Sequence, residues 1–127
     1  MTGCVVFRSV LIIDNDEPSV KLARTVLEAE GWRIMHASRG EHASAVLKSV
    51  RPSLIVTALS VPVHAAFELV RELRTQARNI PIIAVTALNG PETELAALRA
   101  GCSGYIRKPI DISTFSAQLS AYLGNQP

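Results

Sequence analysis

The sequence predicts an α/β fold in which five short strands alternate with five helices. Short apolar runs rich in β-branched residues recur along the chain, and each is followed by a segment with apolar residues at helical spacing. The connections between these segments are short, and none is long enough to link a second domain. Strands that alternate with helices in this way form a parallel sheet that is covered by helices on both faces.

The strands are predicted from their apolar runs and the helices from their period and end signals. The predicted strands are Val10–Ile13, Trp32–Ala37, Leu54–Thr57, Ile82–Thr86 and Gly104–Arg107. The predicted helices lie between Pro18 and Gly31, Glu41 and Val50, Ala66 and Asn79, Pro91 and Gly101, and Ser113 and Leu123. Asp16 or Asn15 caps the first helix and Gly31 ends it. For five strands, the flavodoxin-like order 2-1-3-4-5 of a doubly wound parallel sheet is favoured.

Helical spacing also predicts which residues face the core. In the second helix the inner residues are expected to be Ala45, Val46 and Val50. The apolar face of the third helix is predicted from four residues, which are Phe67, Leu69, Val70 and Leu73. The chain is expected to form one domain over residues 9–124, with a leader at 1–8 and a tail at 125–127; the end just past the last helix fits a single-domain protein.

Composition excludes several classes of function. Of 127 residues, 48% are apolar and 19% are charged, and the net charge of +2 with scattered basic residues does not favour nucleic acid. Cys4 and Cys102 lie far apart in the sequence and do not form a CxxC motif. A reduced intracellular protein is the simplest interpretation of two such cysteines. We predict no signal peptide, because the apolar run Val5-Val6-Phe7 is short and lacks a basic flank, and no run approaches the roughly 20 apolar residues of a membrane span. We therefore expect a cytoplasmic protein.

The ends of four strands carry the candidate site residues, and three of these ends are polar. Asp14 and Asn15 follow the first, Thr86 ends the fourth and Lys108 follows the fifth, whereas Ala58 follows the third. In the predicted topology these positions meet at one edge of the sheet. Carboxylates there would bind a hard divalent cation, and a hydroxyl and an ammonium would hold phosphoryl oxygens. No GxGxxG or GxxxxGK[ST] motif follows the first strand, so a dinucleotide or Walker-type site is not predicted.

Five stretches together resemble the response-regulator receiver domain of chemotaxis-type two-component systems, over residues 9 to 123. They are Val10–Ser19, Leu54–Pro62, Phe67–Leu73, Pro81–Ala87 and Ala100–Pro109. The resemblance implies that a partner histidine would donate a phosphoryl group to an aspartate at the end of the third strand. It also implies that an acidic pair after the first strand would hold Mg²⁺.

The resemblance assigns the acidic pair unevenly. Asp14 matches its first acid, but Asn15 stands where the family usually has a second aspartate. A shifted register would use Asn15 and Asp16 instead, and we favour Asp14 and Asn15. Ala58 stands at the acceptor position, Ala66 replaces the usual glycine, and Val61 replaces a common methionine.

Other positions match the family. Thr86 matches the hydroxyl that contacts the phosphoryl group, and Lys108 matches the family's lysine. The Lys108-Pro109 pair resembles the family's cis-proline turn. Tyr105 fits the aromatic residue that swings inward on activation, and Tyr105, Arg107 and Pro109 belong to the switch and partner face that the resemblance implies.

Ala58 decides the predicted chemistry. A methyl group cannot form an acyl phosphate, and its presence removes a metal ligand and a negative charge. Mg²⁺ would be left with Asp14 as a weak or absent site, so no cofactor is expected. We predict a degenerate receiver, or pseudo-receiver, in which Lys108 pairs with Asp14; the alternative is that Lys108 extends into water.

The sequence leaves several functions open. The favoured one is a phosphorylation-independent signalling module that acts by contact with a histidine kinase, a phosphotransfer protein or an effector. A homodimer through helix four, strand five and helix five would use charged residues of that face, which are Glu92, Glu94, Arg99, Arg107 and Asp111.

Two alternatives use the modified pocket. One is residual phosphoryl acceptance by Asp14 or Ser60. The other is a sensor of a small molecule or anion held between Ala58, Thr86 and Lys108. An enzyme is not predicted, because no nucleophile with a base is found and the three histidines, His36, His42 and His64, lack a shared metal spacing.

Overall fold

A computed structural model describes residues 8–59, 63–87 and 91–124. The predicted leader and tail, apart from Arg8, lie outside these residues, as do Cys4 and Ser60. The strands are β1 (Ser9–Ile13), β2 (Arg33–Ala37), β3 (Leu54–Ala58), β4 (Ile82–Thr86) and β5 (Gly104–Arg107). The helices are α1 (Glu17–Ala29), α2 (Gly40–Ser49), α3 (Val63–Gln76), α4 (Pro91–Ala100) and α5 (Phe115–Gly124).

The five strands form one parallel sheet in the order β2-β1-β3-β4-β5, which confirms the predicted flavodoxin-like fold. Ile13 lies beside Ala37 and Thr57, and Ala58 lies beside Val85. The carboxyl ends of the strands are therefore level, and the residues that follow them emerge along one edge of the sheet.

Each face of the sheet is covered by its own group of helices. On one face, Val10, Ile12 and Val56 pack with α1 and with Phe115 of α5. On the other face, the alternate residues of the same strands pack with α2, α3 and α4. Both sets of strand residues are buried because helices cover both faces, which explains the continuous apolar runs in the sequence.

Helix α1 begins and ends at specific signals. Asp16 is its N-cap, and the carboxylate of Asp16 accepts a hydrogen bond from the Ser19 N–H at 3.0 Å. At the other end Gly31 has a φ of 88°, where a side chain would be strained. The Trp32 N–H donates to the Leu27 carbonyl at 3.0 Å, so Trp32 completes the helix cap and β2 begins one residue later than predicted.

Two sequence predictions about the helices are wrong. Helix α3 begins at Val63, three residues before the predicted start near Ala66. Val63 lies at helical spacing from Phe67 and Val70, so the apolar period extends one turn further towards the N-terminus than the prediction took it. In α2 the buried residue is Ala43, whereas Ala45 and Val50 are exposed. The phase of that helix follows its packing against β1, β2 and α3.

Candidate functional site

The carboxyl ends of β1, β3 and β5 bring three of the predicted site residues together. Asp14 directly follows β1, Ala58 is the last residue of β3, and Lys108 directly follows β5. All three line one cavity of about 310 Å³. This cavity, called here the α1–α5 cavity, lies between the sheet and helices α1 and α5.

Asp14 is held firmly at the rim of this cavity. Its Oδ1 accepts a hydrogen bond from the Asp16 N–H at 2.9 Å, and its own N–H donates to the Ala37 carbonyl at 3.1 Å. The Asp14 carbonyl lies 2.8 Å from His36 Nε2, which donates because a carbonyl can only accept. The Asp14 side chain is only 10% exposed, so its orientation is fixed.

Lys108 pairs with Asp14, as the sequence predicted. Its Nζ lies 3.6 Å from Asp14 Oδ2, and it donates to Ser19 Oγ at 3.3 Å. The Lys108–Pro109 peptide is cis, which confirms the predicted turn. With no carboxylate at Ala58, the ammonium turns to the acid at the end of β1, while 28% of its side chain stays exposed.

Asp16 and Asn15 have different surroundings from Asp14. The Asp16 carboxylate is used as the cap of α1, and hydrogen bonds from the Ser19 hydroxyl and N–H hold the pKa of Asp16 below its ordinary value. Asn15 is exposed, and with Asp14 and Ala58 it borders a second cavity of about 200 Å³, which Arg39 also lines. Asp14 thus lies between the two cavities.

Thr86 does not join this group in the way we expected. Its side chain is 2% exposed, and its hydroxyl donates to the Leu59 carbonyl at 3.2 Å. Its neighbours Val85 and Ala87 line the α1–α5 cavity. Side chains alternate along a strand, so Thr86 is directed away from this cavity. Thr86 is therefore not part of the wall of the α1–α5 cavity, and a ligand pocket between Ala58, Thr86 and Lys108 stays a prediction.

A model of the response regulator receiver domain matches residues 10–120. The chain belongs to this family. It is 32% identical over 120 residues to the polar-differentiation response regulator DivK of Brucella anthropi, covering 93% of this chain and 98% of the relative.

Solved structures agree with this assignment. A two-component response regulator from Clostridium difficile superposes with a TM-score of 0.85 at 26% identity, over 92% of this chain and 96% of that chain. The receiver domain of the sensor histidine kinase PA1611 from Pseudomonas aeruginosa was solved with a magnesium ion coordinated in its active site cleft. It superposes with a TM-score of 0.83 at 23% identity, over 94% of this chain and 100% of that chain. The molecule is a receiver domain of two-component signalling.

The predicted switch and partner face of this receiver domain forms a single groove. Tyr105, Arg107 and Pro109 line it together with Gln118 and Tyr122 of α5. Tyr105 is half-buried, and desolvation raises the pKa of its phenol. Arg107 is exposed at the end of β5. The structure thus places the three residues on one surface, and their role in signalling stays a prediction.

Several residues that line the α1–α5 cavity were missed in the sequence analysis. Ser19, Leu22 and Phe115 line the α1–α5 cavity, although they lie on helices rather than at strand ends. Ser19 alone had a local signal, because a hydroxyl residue in the first turn of a helix lies near the strand end that precedes it. Leu22 and Phe115 have no such signal, since only the packing of α1 and α5 on the sheet brings them there.

Two further residues that the sequence analysis names are Cys102 and His64. Cys102 is buried, and burial raises the pKa of its thiol to about 11, which agrees with a packing role. The side chain of His64 lies outside the described part of the chain.

Among residues 8–59, 63–87 and 91–124, no helix has the length and apolar character needed to cross a membrane.

Proposed function

We propose that this receiver domain is a pseudo-receiver, which accepts no phosphoryl group at position 58 and signals by protein contact. The observation that carries the proposal is Ala58 at the end of β3, where the family resemblance places the acceptor aspartate. A methyl group has no lone pair with which to attack phosphorus.

The contacts of the neighbouring residues support the same proposal. The Lys108 ammonium is paired with Asp14, and the Thr86 hydroxyl donates to the Leu59 carbonyl. Both groups therefore have protein partners in the absence of a phosphoryl group. A domain whose switch groups are already engaged would keep one conformation, because no bond formation shifts its population.

The residues at the site do not fit a magnesium ion. Mg²⁺ requires near-octahedral coordination by oxygen ligands. Asp14 uses Oδ1 for the Asp16 N–H and has its Oδ2 beside the Lys108 ammonium, while Ala58 offers no ligand. Within the described ranges, no three acidic, histidine or cysteine side chains come together as a metal site. We therefore assign no metal-dependent step to this domain.

The partner face would be α4, β5 and α5. Tyr105, Arg107 and Pro109 form a groove there, and Leu95 and Leu98 of α4 are 48% and 43% exposed. We propose that a histidine kinase, a phosphotransfer protein, an effector or a second copy binds this face in the cytoplasm. Catalytic activity is not part of the proposal.

A small phosphodonor tests the central claim. The natural chain is incubated with acetyl phosphate and Mg²⁺ and its intact mass is measured. The matched variant carries Ala58→Asp and Asn15→Asp, which restore both carboxylates. We expect the natural chain to stay unmodified and the double variant to gain one phosphoryl group that hydroxylamine removes, as it does an acyl phosphate.

Two results would contradict the proposal. One is a hydroxylamine-labile phosphoryl group on the natural chain, which would identify Asp14 or another carboxylate as the acceptor. The other is a saturable change in the amide NMR signals of Ala58, Thr86 and Lys108 on addition of Mg²⁺ and beryllofluoride, a mimic of the acyl phosphate. A phosphoryl group on Ser60 would resist hydroxylamine and would point to regulation by a protein kinase.

A further inference from the structure

The α1–α5 cavity has the size and walls of a small-molecule site. Its volume of about 310 Å³ lies at the lower end of the range of about 300–1,000 Å³ that is typical of ligand pockets. Its apolar walls come from the ends of three strands and from α1 and α5; they include Ile12, Val56, Val85, Leu22, Ile110 and Phe115. Ala58 adds a methyl group at the position where a receiver aspartate would place a carboxylate.

Three polar side chains lie at the rim of this cavity. Asp14 and Lys108 face each other across 3.6 Å, which is longer than the 2.7–2.9 Å of a direct charge-assisted hydrogen bond. Ser19 Oγ lies 3.3 Å from Lys108 Nζ, and its own proton is donated to Asp16. The ammonium and Asp14 Oδ2 thus form an ion pair without a direct hydrogen bond between them.

The charges at the rim select against ionic ligands. A carboxylate or phosphate that approached Lys108 would also meet Asp14 and the nearby Asp16. An ammonium that approached Asp14 would meet Lys108. A hydroxyl group has neither conflict, because its oxygen accepts from the ammonium while its proton is donated to the carboxylate.

We propose that this cavity binds a small, neutral, apolar molecule with a single hydroxyl group, such as a phenol or a short alcohol. The hydroxyl would bridge Lys108 Nζ and Asp14 Oδ2, and the apolar body would lie against Val56, Val85 and Phe115. This inference rests on the proposed function, since the cavity is free for such a ligand only when no phosphoryl group occupies the site.

Four probes that share one apolar body test the proposal. The probes are p-cresol, toluene, 4-methylbenzoate and 4-methylbenzylammonium, titrated at pH 7 into the full chain while the methyl NMR signals of Ile12, Val56 and Val85 are followed. We expect saturable shifts with p-cresol and binding of toluene that is weaker by roughly tenfold or more, as the loss of the two hydrogen bonds to Lys108 and Asp14 predicts. The two ionic probes are expected to bind more weakly than p-cresol.

Two variants separate the roles of the rim and of the walls. Asp14→Ala combined with Lys108→Met removes both hydrogen-bonding groups of the proposed bridge, and we expect this double variant to bind p-cresol and toluene to nearly the same extent. Ala58→Leu fills the cavity and is expected to lose both probes; Ala58→Val is a smaller filling if the leucine variant does not fold. Lys21→Met, which changes an exposed lysine of α1, is the control that should leave the affinities unchanged.

The outcomes distinguish this inference from the proposed function. Equal binding of p-cresol and toluene by the natural chain, tighter binding of either ionic probe, or no saturable shift with any probe would overturn the inference. Each of these results can occur in a chain that acetyl phosphate leaves unmodified, in which case the proposed function stands. Phosphorylation of the natural chain would overturn the proposed function whichever probe bound.

Discussion

At the scale of single residues, the methyl group of Ala58 leaves Asp14 as the carboxylate that pairs with Lys108 among the described residues. The ammonium cannot pair with position 58, and it lies instead 3.6 Å from Asp14 Oδ2. Asp14 is 10% exposed, so its carboxylate has little access to water and depends on the Asp16 N–H and on Lys108. The pair therefore contributes to stability, although its partial exposure and its length limit the contribution.

A double-mutant cycle measures the energy of this pair. Asp14→Asn and Lys108→Met are each expected to lower the free energy of unfolding, because each leaves a poorly solvated charge without its partner. The double variant is expected to lose less than the sum of the two, by about 0.5–1 kcal/mol. Urea unfolding gives the four values, with Lys21→Met as the control for loss of an exposed lysine. Strictly additive losses would show that the two charges do not interact.

At the scale of elements, one arginine connects three segments of the α3–α4 face. The Arg74 guanidinium, on α3, donates to the carbonyls of Ala77 at 3.0 Å and Ile80 at 2.7 Å, just before β4. It also donates to the carbonyl of Gly101 at 2.7 Å, between α4 and β5. Burial lowers the pKa of Arg74. These carbonyls belong to the chain between elements, where strand or helix bonds do not satisfy them.

Arg74→Lys is expected to destabilise the domain although it keeps the charge. A lysine presents its donors from one nitrogen and cannot reach all the carbonyls that the guanidinium contacts from its separate nitrogens. We expect a loss of about 2 kcal/mol in the free energy of unfolding, measured in urea. Arg78→Lys, four residues later and on an exposed side chain, is the matched control and should have little effect. Equal effects of the two substitutions would rule out the bridging role of Arg74.

The elements also show how far the sequence could predict the structure. Every strand and helix was predicted, because the short apolar runs report burial on both sides and Asp16 and Gly31 mark the ends of α1. The start of α3 at Val63 was missed, because the prediction began the apolar period at Phe67 although Val63 lies four residues before it. The bridging role of Arg74 could not be predicted from the sequence either. Its acceptors are backbone carbonyls, which every residue has, so no residue type indicates where they lie.

The sequence predicted the strand-end residues of the candidate site but not the helix residues that line the α1–α5 cavity. Asp14, Ala58 and Lys108 lie at the ends of three strands that finish at one edge of the sheet, so the predicted strand order was enough to place them close together. Thr86 also follows that rule, but alternation along β4 turns it away from the α1–α5 cavity. The apolar residues of α1 and α5 reach the cavity only through tertiary packing, and the sequence therefore suggested a more polar pocket than the structure has.

At the scale of the whole molecule, helix α4 presents two exposed leucines on one face. Leu95 and Leu98 are 48% and 43% exposed, and Leu95 lines a groove with Phe67 of α3 and Arg99. Helix α4 leads into β5, whose Tyr105 lines the groove of the switch and partner face. Apolar side chains surrounded by charged ones are typical of the centre of a protein interface.

A homodimer through this face predicts a specific response to substitution. Sedimentation velocity over a range of concentrations should show the natural chain in a monomer–dimer equilibrium. Leu95→Glu combined with Leu98→Glu should shift the chain to monomer, because two carboxylates would be buried without partners at the dimer axis. Val50→Glu is the matched control, since Val50 is 42% exposed at the end of α2, outside α4, β5 and α5. The interface would lie elsewhere if Val50→Glu dissociated the dimer and the α4 variant did not. A natural chain that stayed monomeric at every concentration would contradict the homodimer, and the partner of this face would then be a different protein.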